Sequence, residues 1–277
     1  MKKYTYPSVL TIAGFDGSGG AGIQADIKTF SALGCYATSV LTALPVQNTQ
    51  GVRKIYPIPM GAVADQIETV LDDIVPMAIK IGMVHTPELV EVIVNTLNRY
   101  PKIPVVFDPV MVATSGHRLI EEETITTIVE KLFPIAEIIT PNMDEAAILA
   151  NMEVKTLEDM KTAGRIILKS GCKNILLKGG HQETSRITSL LLSENGEVTL
   201  FETEKFITNN THGSGCTLSS AIAAFLARGE DLENAVTRAQ EYVFEAIKSG
   251  KDVVTGKGNG PLDHFFNPNK SIKYEMV

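Results

Sequence analysis

With 277 residues, 44% of them hydrophobic and 21% charged, the chain exceeds the usual ~100–200 residues of one domain but can fill the core of a single large α/β domain. A net charge of −7 disfavours a nucleic-acid or anionic-membrane surface. Cys35, Cys172 and Cys216 stand far apart with no Cys-x-x-Cys pair, which excludes a disulfide framework and points to a reducing, cytoplasmic protein. Met1-Lys2-Lys3 could open a signal sequence, but Ala13 to Gly22 is glycine-rich rather than long and apolar. Neither a signal peptide nor a membrane span is therefore expected.

Ser8 to Ala13 is a short apolar run that reads as a buried strand. The glycine-rich loop 14–22 follows, and Ile23 to Leu33 carries Ile23, Ile27 and Phe30 at helical spacing, closed by Gly34. Cys35 to Leu44 predicts a second strand. Gly17-x-Gly19-x-x-Gly22 formally matches the dinucleotide fingerprint. That fingerprint needs an acid about twenty positions on, and Thr42 to Asn48 holds none, so a Rossmann dehydrogenase is set aside. Beyond it the pattern predicts helices over Val63–Val75, Pro87–Leu97, Glu121–Leu132 and Leu157–Ser170, with strands at Ala78–Met83, Ile103–Phe107, Ala136–Thr140 and Asn174–Lys178. A further helix is expected after Pro141-Asn142-Met143-Asp144-Glu145. Thr188–Glu194 and Glu197–Glu202 flank Asn195-Gly196, a hairpin turn signal. Helices over Cys216–Arg228 and Leu232–Lys248 complete the set.

Alternating strands and helices predict one α/β domain over 1–277, with short tails at 1–7 and 267–277, built as a mostly parallel sheet between two helical layers. The polar and glycine-rich stretches 14–22, 45–48, 108–111, 141–145 and 178–181 all fall where strands end, the place where open α/β sheets bind ligands. Thr211-His212-Gly213-Ser214-Gly215-Cys216 precedes the most apolar helix. Its backbone amides and helix dipole suit an anion, above all phosphate.

Laid together, these stretches resemble the hydroxymethylpyrimidine/phosphomethylpyrimidine kinases of thiamin biosynthesis, members of the ribokinase-like superfamily. The resemblance runs from about Val9 to about Phe265. It rests on the run from Leu10 through the glycine loop to Asp26, and on Gln47-Asn-Thr-Gln-Gly51, Lys80-Ile-Gly-Met83 and Asp108-Pro-Val-Met111. Ile139-Thr-Pro-Asn142, Lys178-Gly-Gly-His181, Thr211 to Leu218 and Gly256-Lys-Gly-Asn-Gly-Pro261 extend it. It implies a three-layer α/β/α sandwich, ATP and Mg²⁺ as cofactors, a homodimer, and the pyrimidine alcohol and its monophosphate as substrates. Pyridoxal kinase is the alternative on the same fold.

In the implied site, the amides of Gly213, Ser214, Gly215 and Cys216 form an anion hole. Cys216 takes the place of a base, with a thiol pKa lowered by the helix N-terminus, or else merely packs there. Lys178 meets phosphate, having Gly-Gly after it, unless it snorkels to solvent. Asn142, Lys178, Gly180, His212, Gly213 and Gly215 hold the nucleotide, and His181 and His212 shape loops near it. Gly14, Ala21, Asp26, Gln47, Met83 and Val110 line the substrate pocket; Gln47 offers the donor and acceptor that an aminopyrimidine edge requires. Met83 and Val110 could equally be core, and Asp26 an exposed helix acid. Asp108 and Glu145 supply oxygens for Mg²⁺, although Glu145 also suits a helix start.

Overall fold

The computed structural model describes residues 2–111, 120–179 and 186–276. In chain order its elements are β1 (Tyr4–Thr5), β2 (Ser8–Ala13), α1 (Gly22–Ala32), β3 (Tyr36–Leu41), β4 (Ala43–Asn48), β5 (Gly51–Pro57), α2 (Met60–Asp73), β6 (Ala78–Ile81), α3 (Pro87–Leu97) and β7 (Val105–Phe107). Then come α4 (Glu122–Thr127), β8 (Ile138–Ile139), α5 (Met143–Ala150), α6 (Leu157–Leu168), β9 (Asn174–Leu177), β10 (Arg186–Ser193), β11 (Val198–Glu204), α7 (Ser214–Ala227), α8 (Leu232–Gly250) and β12 (Tyr274–Glu275).

Eight strands form one sheet in the order β11-β10-β9-β8-β7-β6-β2-β3. From β3 to β9 every neighbouring pair is parallel, and β10 and β11 add an antiparallel edge. Side chains alternate between two cores. Leu10, Ile12, Ile79, Ile81, Val105 and Phe107 pack toward α2, α3, α5 and α6. Val9, Ala78, Val106, Ile138 and Leu176 pack toward α1, α7 and α8. The result is a three-layer α/β/α sandwich with a mostly parallel central sheet, as the alternation in the sequence implies.

Local signals explain where several elements begin. Thr86 caps α3, its hydroxyl accepting the Leu89 amide at 3.2 Å with Pro87 at the first helical position. Asn142 with Glu145, and Thr156 with Asp159, form reciprocal capping boxes for α5 and α6.

Three expectations are corrected. The strand expected over Cys35–Leu44 stops at Leu41, because the Thr42 amide makes a last bond to Ala13 O while its hydroxyl binds Met83 O. From Ala43 the chain leaves the sheet as the antiparallel hairpin β4–β5, so Gln47 sits in a strand rather than a loop. The helix expected over Glu121–Leu132 is α-helical only to Thr127 and continues as a π turn and a 3₁₀ turn to Ile135. Thr126 and Thr127 there bond back to the carbonyls of Glu122 and Glu123, which loosens a helix, and Pro134 lacks the amide to extend it. Apart from these corrections, the short stretches at the two ends carry β1 and β12, which pair with each other, Tyr4 with Glu275 and Thr5 with Tyr274.

Candidate active site

The first turn of α7 is built around Gly213, which caps the helix at φ 80°. A Cβ there would lie 1.7 Å from Gly20 O, so the backbone of the 14–22 loop touches the backbone of the helix cap and only glycine fits. Of the four amides expected to be bare, the Ser214 amide donates to Thr211 O at 3.1 Å and closes a turn. The amides of Gly213, Gly215 and Cys216 have no partner among the described residues, and no acid occupies the first turn. Three amides at the positive end of a 14-residue helix are a place for anionic oxygen.

Facing them are side chains from two strand ends. A Cβ on Gly215 would meet Lys178 Nζ at 3.2 Å and Asp108 Oδ2 at 3.6 Å. Lys178 follows β9 and donates to Asp108 Oδ1 at 2.9 Å; Asp108 follows β7 and also accepts the Thr140 hydroxyl at 3.0 Å. The lysine side chain keeps 14% of its surface exposed and the aspartate 2%. Burial would raise the Asp108 pKa, but Lys178 and Lys80 outweigh it and hold the carboxyl below its ordinary range. Glu145 accepts the amides of Asn142 (2.8 Å) and Met111 (3.3 Å). Burial pushes its carboxyl up to about 7, Lys178 opposing and Asp108 adding to the rise. Asn142 spends its side-chain oxygen on the Glu145 amide.

The 14–22 loop is folded on Asp16. This buried carboxylate accepts the amides of Ser18, Gly20 and Ala21, the Ser18 hydroxyl, and Nε2 of His212 at 2.9 Å. Burial works to raise its pKa, yet bonds from His212 and Ser18, with Gln47 contributing, pull it well below the carboxylate range. Gly14 abuts the Met83 methyl, 3.1 Å from where its Cβ would be, and Gln47 O comes within 3.4 Å of a Cβ on Gly17. Gly14, Ala21, Gln47 and Met83 thus gather around this loop. Val110, half-buried, lies two residues past Asp108 and donates its amide to Asp108 O.

Asp26 is neither an exposed helix acid nor part of an open surface. It is fully buried and accepts the Thr11 hydroxyl (2.5 Å), the Ser220 hydroxyl (2.7 Å) and both bonds from Lys80 (2.9 Å each). Cys216 also differs from expectation. Its thiol is pushed up to about 11 rather than lowered, because burial outweighs the help of Lys80 and the Gly22 amide, while Asp26 and Asp108 push the same way as burial. Gly180 and His181 lie outside the described residues.

Lys80, Thr11, Ser220 and the role of Asp16 escaped the sequence reading. A lysine between Ala78-Ile79 and Ile81 in a buried strand was a signal, since such a charge must find a partner inside. Asp16 with Ser18 two residues on was another, the pattern of a side chain bonding the backbone just ahead.

With this geometry in hand, the similarities to known proteins can be placed on it. Residues 16–263 match the family model described as phosphomethylpyrimidine kinase. The Geobacter sulfurreducens thiamine biosynthesis bifunctional protein ThiED is 42% identical over 93% of the chain and 52% of its own length. The Escherichia coli K12 hydroxymethylpyrimidine/phosphomethylpyrimidine kinase is 42% identical over 93% of the chain and 97% of its own length. The chain thus spans about half of the bifunctional relatives, two plant proteins included, and nearly all of the E. coli one. The crystal structure of the Clostridium difficile phosphomethylpyrimidine kinase is 43% identical, with TM-score 0.77 over 87% of this chain and 99% of that one. The Staphylococcus aureus pyridoxal kinase in complex with AMP-PCP and pyridoxal is 33% identical, with TM-score 0.86 over 98% of this chain and 100% of that one.

Proposed function

The chain belongs to the phosphomethylpyrimidine kinase family, and from that membership we propose that it acts as one ribokinase-like domain. In this reading it transfers the γ-phosphoryl group of ATP to the hydroxymethyl oxygen of 4-amino-5-hydroxymethyl-2-methylpyrimidine, and in a second round to the resulting monophosphate. The observation that carries this reading is the set of three amides at the start of α7 that have no partner among the described residues, set against Lys178 and Asp108. Phosphoryl transfer asks for positioning and charge neutralisation more than for covalent chemistry. The amides of Gly213, Gly215 and Cys216 receive the transferred oxygens, and Lys178 offsets the charge that builds on them. The glycine loop with Gln47 and Met83 holds the pyrimidine, and Asp26 supports that wall from behind. Cys216, whose thiol keeps its proton at rest, orients the acceptor hydroxyl.

Mg²⁺ fits the donor set. Asp108 Oδ2 has no partner among the described residues, and the Asp108 charge adds to the burial that raises the Glu145 pKa, a crowding that a cation relieves. These two carboxylates would hold the ion with waters and phosphate completing its shell, and it would neutralise phosphate charge. Asn142, Gly213 and Gly215 border the nucleotide. We also place the enzyme in the cytoplasm as a homodimer. Val46, Val52 and Tyr56 on the β4–β5 hairpin are apolar and exposed, which supports a surface for self-association.

Pyridoxal kinase is the second reading, favoured by the higher TM-score to the S. aureus enzyme. The higher identity to the C. difficile and E. coli kinases speaks for the pyrimidine. ATP consumption measured with the pyrimidine alcohol and with pyridoxal decides between them: a larger kcat/KM for the pyrimidine is expected, and a larger value for pyridoxal would reverse the assignment. Single-turnover assays on the alcohol and the monophosphate separate the two rounds.

A further inference from the structure

Three glycine-bearing loops meet at one side chain. His212 Nε2 lies 2.9 Å from Asp16 Oδ2, and since Asp16 is a carboxylate that only accepts, Nε2 carries the proton and donates. The His212 amide donates to Gly260 O at 3.0 Å, and His212 forms a parallel bridge with Pro261. The imidazole packs against Gly20, where a Cβ would come 2.6 Å from its Cδ2 and 3.0 Å from Pro261 Cβ. The next residue, Gly213, touches Gly20 O and starts the anion-binding helix. On the far side Asp16 orders Ser18, Gly20 and Ala21, the loop that borders the acceptor pocket. The loop 256–260 reaches the hairpin as well, with the Asn259 amide donating to Thr49 O at 2.9 Å.

We propose that Asp16 and His212 are a pair of positioning residues, which act through their mutual hydrogen bond to hold the acceptor loop 14–22 in register with the phosphate-binding amides of α7. The proposal deepens the kinase reading and rests on it. It gives His212 a role other than touching the nucleotide. In-line transfer requires the attacking oxygen and the phosphorus to be held in near-attack geometry, and a displacement of about 1 Å can cost about 100-fold in rate. The bond between Asp16 and His212 ties a side chain of the acceptor loop to the residue just before the helix cap; beside it, the contact of Gly20 with Gly213 is a steric stop, and the Gly22 amide reaches the Cys216 thiol at the other end of the loop.

The test compares Asp16→Asn, His212→Ala, His212→Gln and the double variant Asp16→Asn/His212→Ala with the wild type. Each is assayed on whichever alcohol the wild type phosphorylates, so that a wrong substrate assignment leaves the test intact. Asp16→Asn and His212→Ala are each expected to slow single-turnover phosphoryl transfer by about 10- to 100-fold, while the ATP dissociation constant changes less than about threefold. The double variant is expected to be no slower than Asp16→Asn alone, because the bond that His212→Ala removes is already lost there. His212→Gln, which can still donate to Asp16, is expected to recover most of the rate. If His212→Ala does not fold, Asp16→Asn and His212→Gln carry the comparison. Weakened ATP binding confined to the His212 variants, losses that multiply in the double variant, or wild-type rates in Asp16→Asn would each overturn the proposal.

Discussion

Two lysine–aspartate pairs, Lys80 of β6 with Asp26 of α1 and Lys178 after β9 with Asp108 after β7, differ in what surrounds them. Lys80 and Asp26 are sealed, with 0% of either side chain exposed, and the Thr11 and Ser220 hydroxyls occupy what the ammonium leaves of the carboxylate. Lys178 and Asp108 sit at strand ends with the lysine partly open, Asp108 Oδ2 without a partner among the described residues, and Glu145 crowded beside them. In the sealed pair the carboxylate accepts four bonds, two from Lys80 and one each from Thr11 and Ser220, and so joins β2, β6, α1 and α7 into one unit. The open pair has capacity left over, aimed at the α7 amides. The same two residue types thus serve as a fastening in one place and as a binding surface in the other.

The largest effect should come from breaking the sealed pair. Lys80→Met strands a buried carboxylate and is expected to cost about 3–5 kcal/mol of folding stability, read by urea denaturation. Lys80→Met/Asp26→Asn, which removes both charges, should regain most of it. A single variant as stable as the wild type would mean the seal is not what the geometry indicates. Lys178→Met should do the reverse: a small loss of stability, with kcat falling about 100- to 1,000-fold because the developing charge on the transferred group loses a preorganised partner. Equal stability losses at Lys80 and Lys178 would erase the distinction between the two pairs.

The smallest effect is a pH dependence at Glu145, beside the open pair. Folding raises the Glu145 carboxyl from 4.5 to about 7, so the folded chain holds this proton more tightly than the unfolded one. The stability this contributes is complete below pH 4.5 and is lost as pH rises through 7, about 3 kcal/mol in all. Without divalent cations, the stability of the wild type relative to Glu145→Gln should therefore decline over that range. A difference that stays flat would show that Glu145 does not titrate there.

These contrasts also mark where the sequence was readable. The bounds of β2 and α3 and the Asn195-Gly196 hairpin follow from signals within a few residues: an apolar run, a Thr-Pro start, a turn dipeptide. The turn that opens α7 was legible for the same reason, Gly213 and Gly215 standing at the edge of an apolar helix. The β4–β5 hairpin was not, because β5 is exposed along its whole length and carries no alternation to betray a strand. The Cys216 thiol was misjudged because its pKa depends on burial, and on charges from β6, α1 and the end of β7, that adjoin it only once the chain is folded. Lys80 was visible as an oddity, but naming Asp26 as its partner needed the register that sets Thr11 beside Lys80 across β2 and β6.

The pairing of β1 with β12 has a consequence of its own. The Met276 amide donates to Lys3 O, so the first and last described strands run side by side. A circularly permuted chain, with these strands joined by a few glycines and new termini opened between Asn195 and Gly196, would keep every rung of the central sheet. What the architecture requires is which strand lies next to which, and the direction from which the ribosome delivers them is incidental.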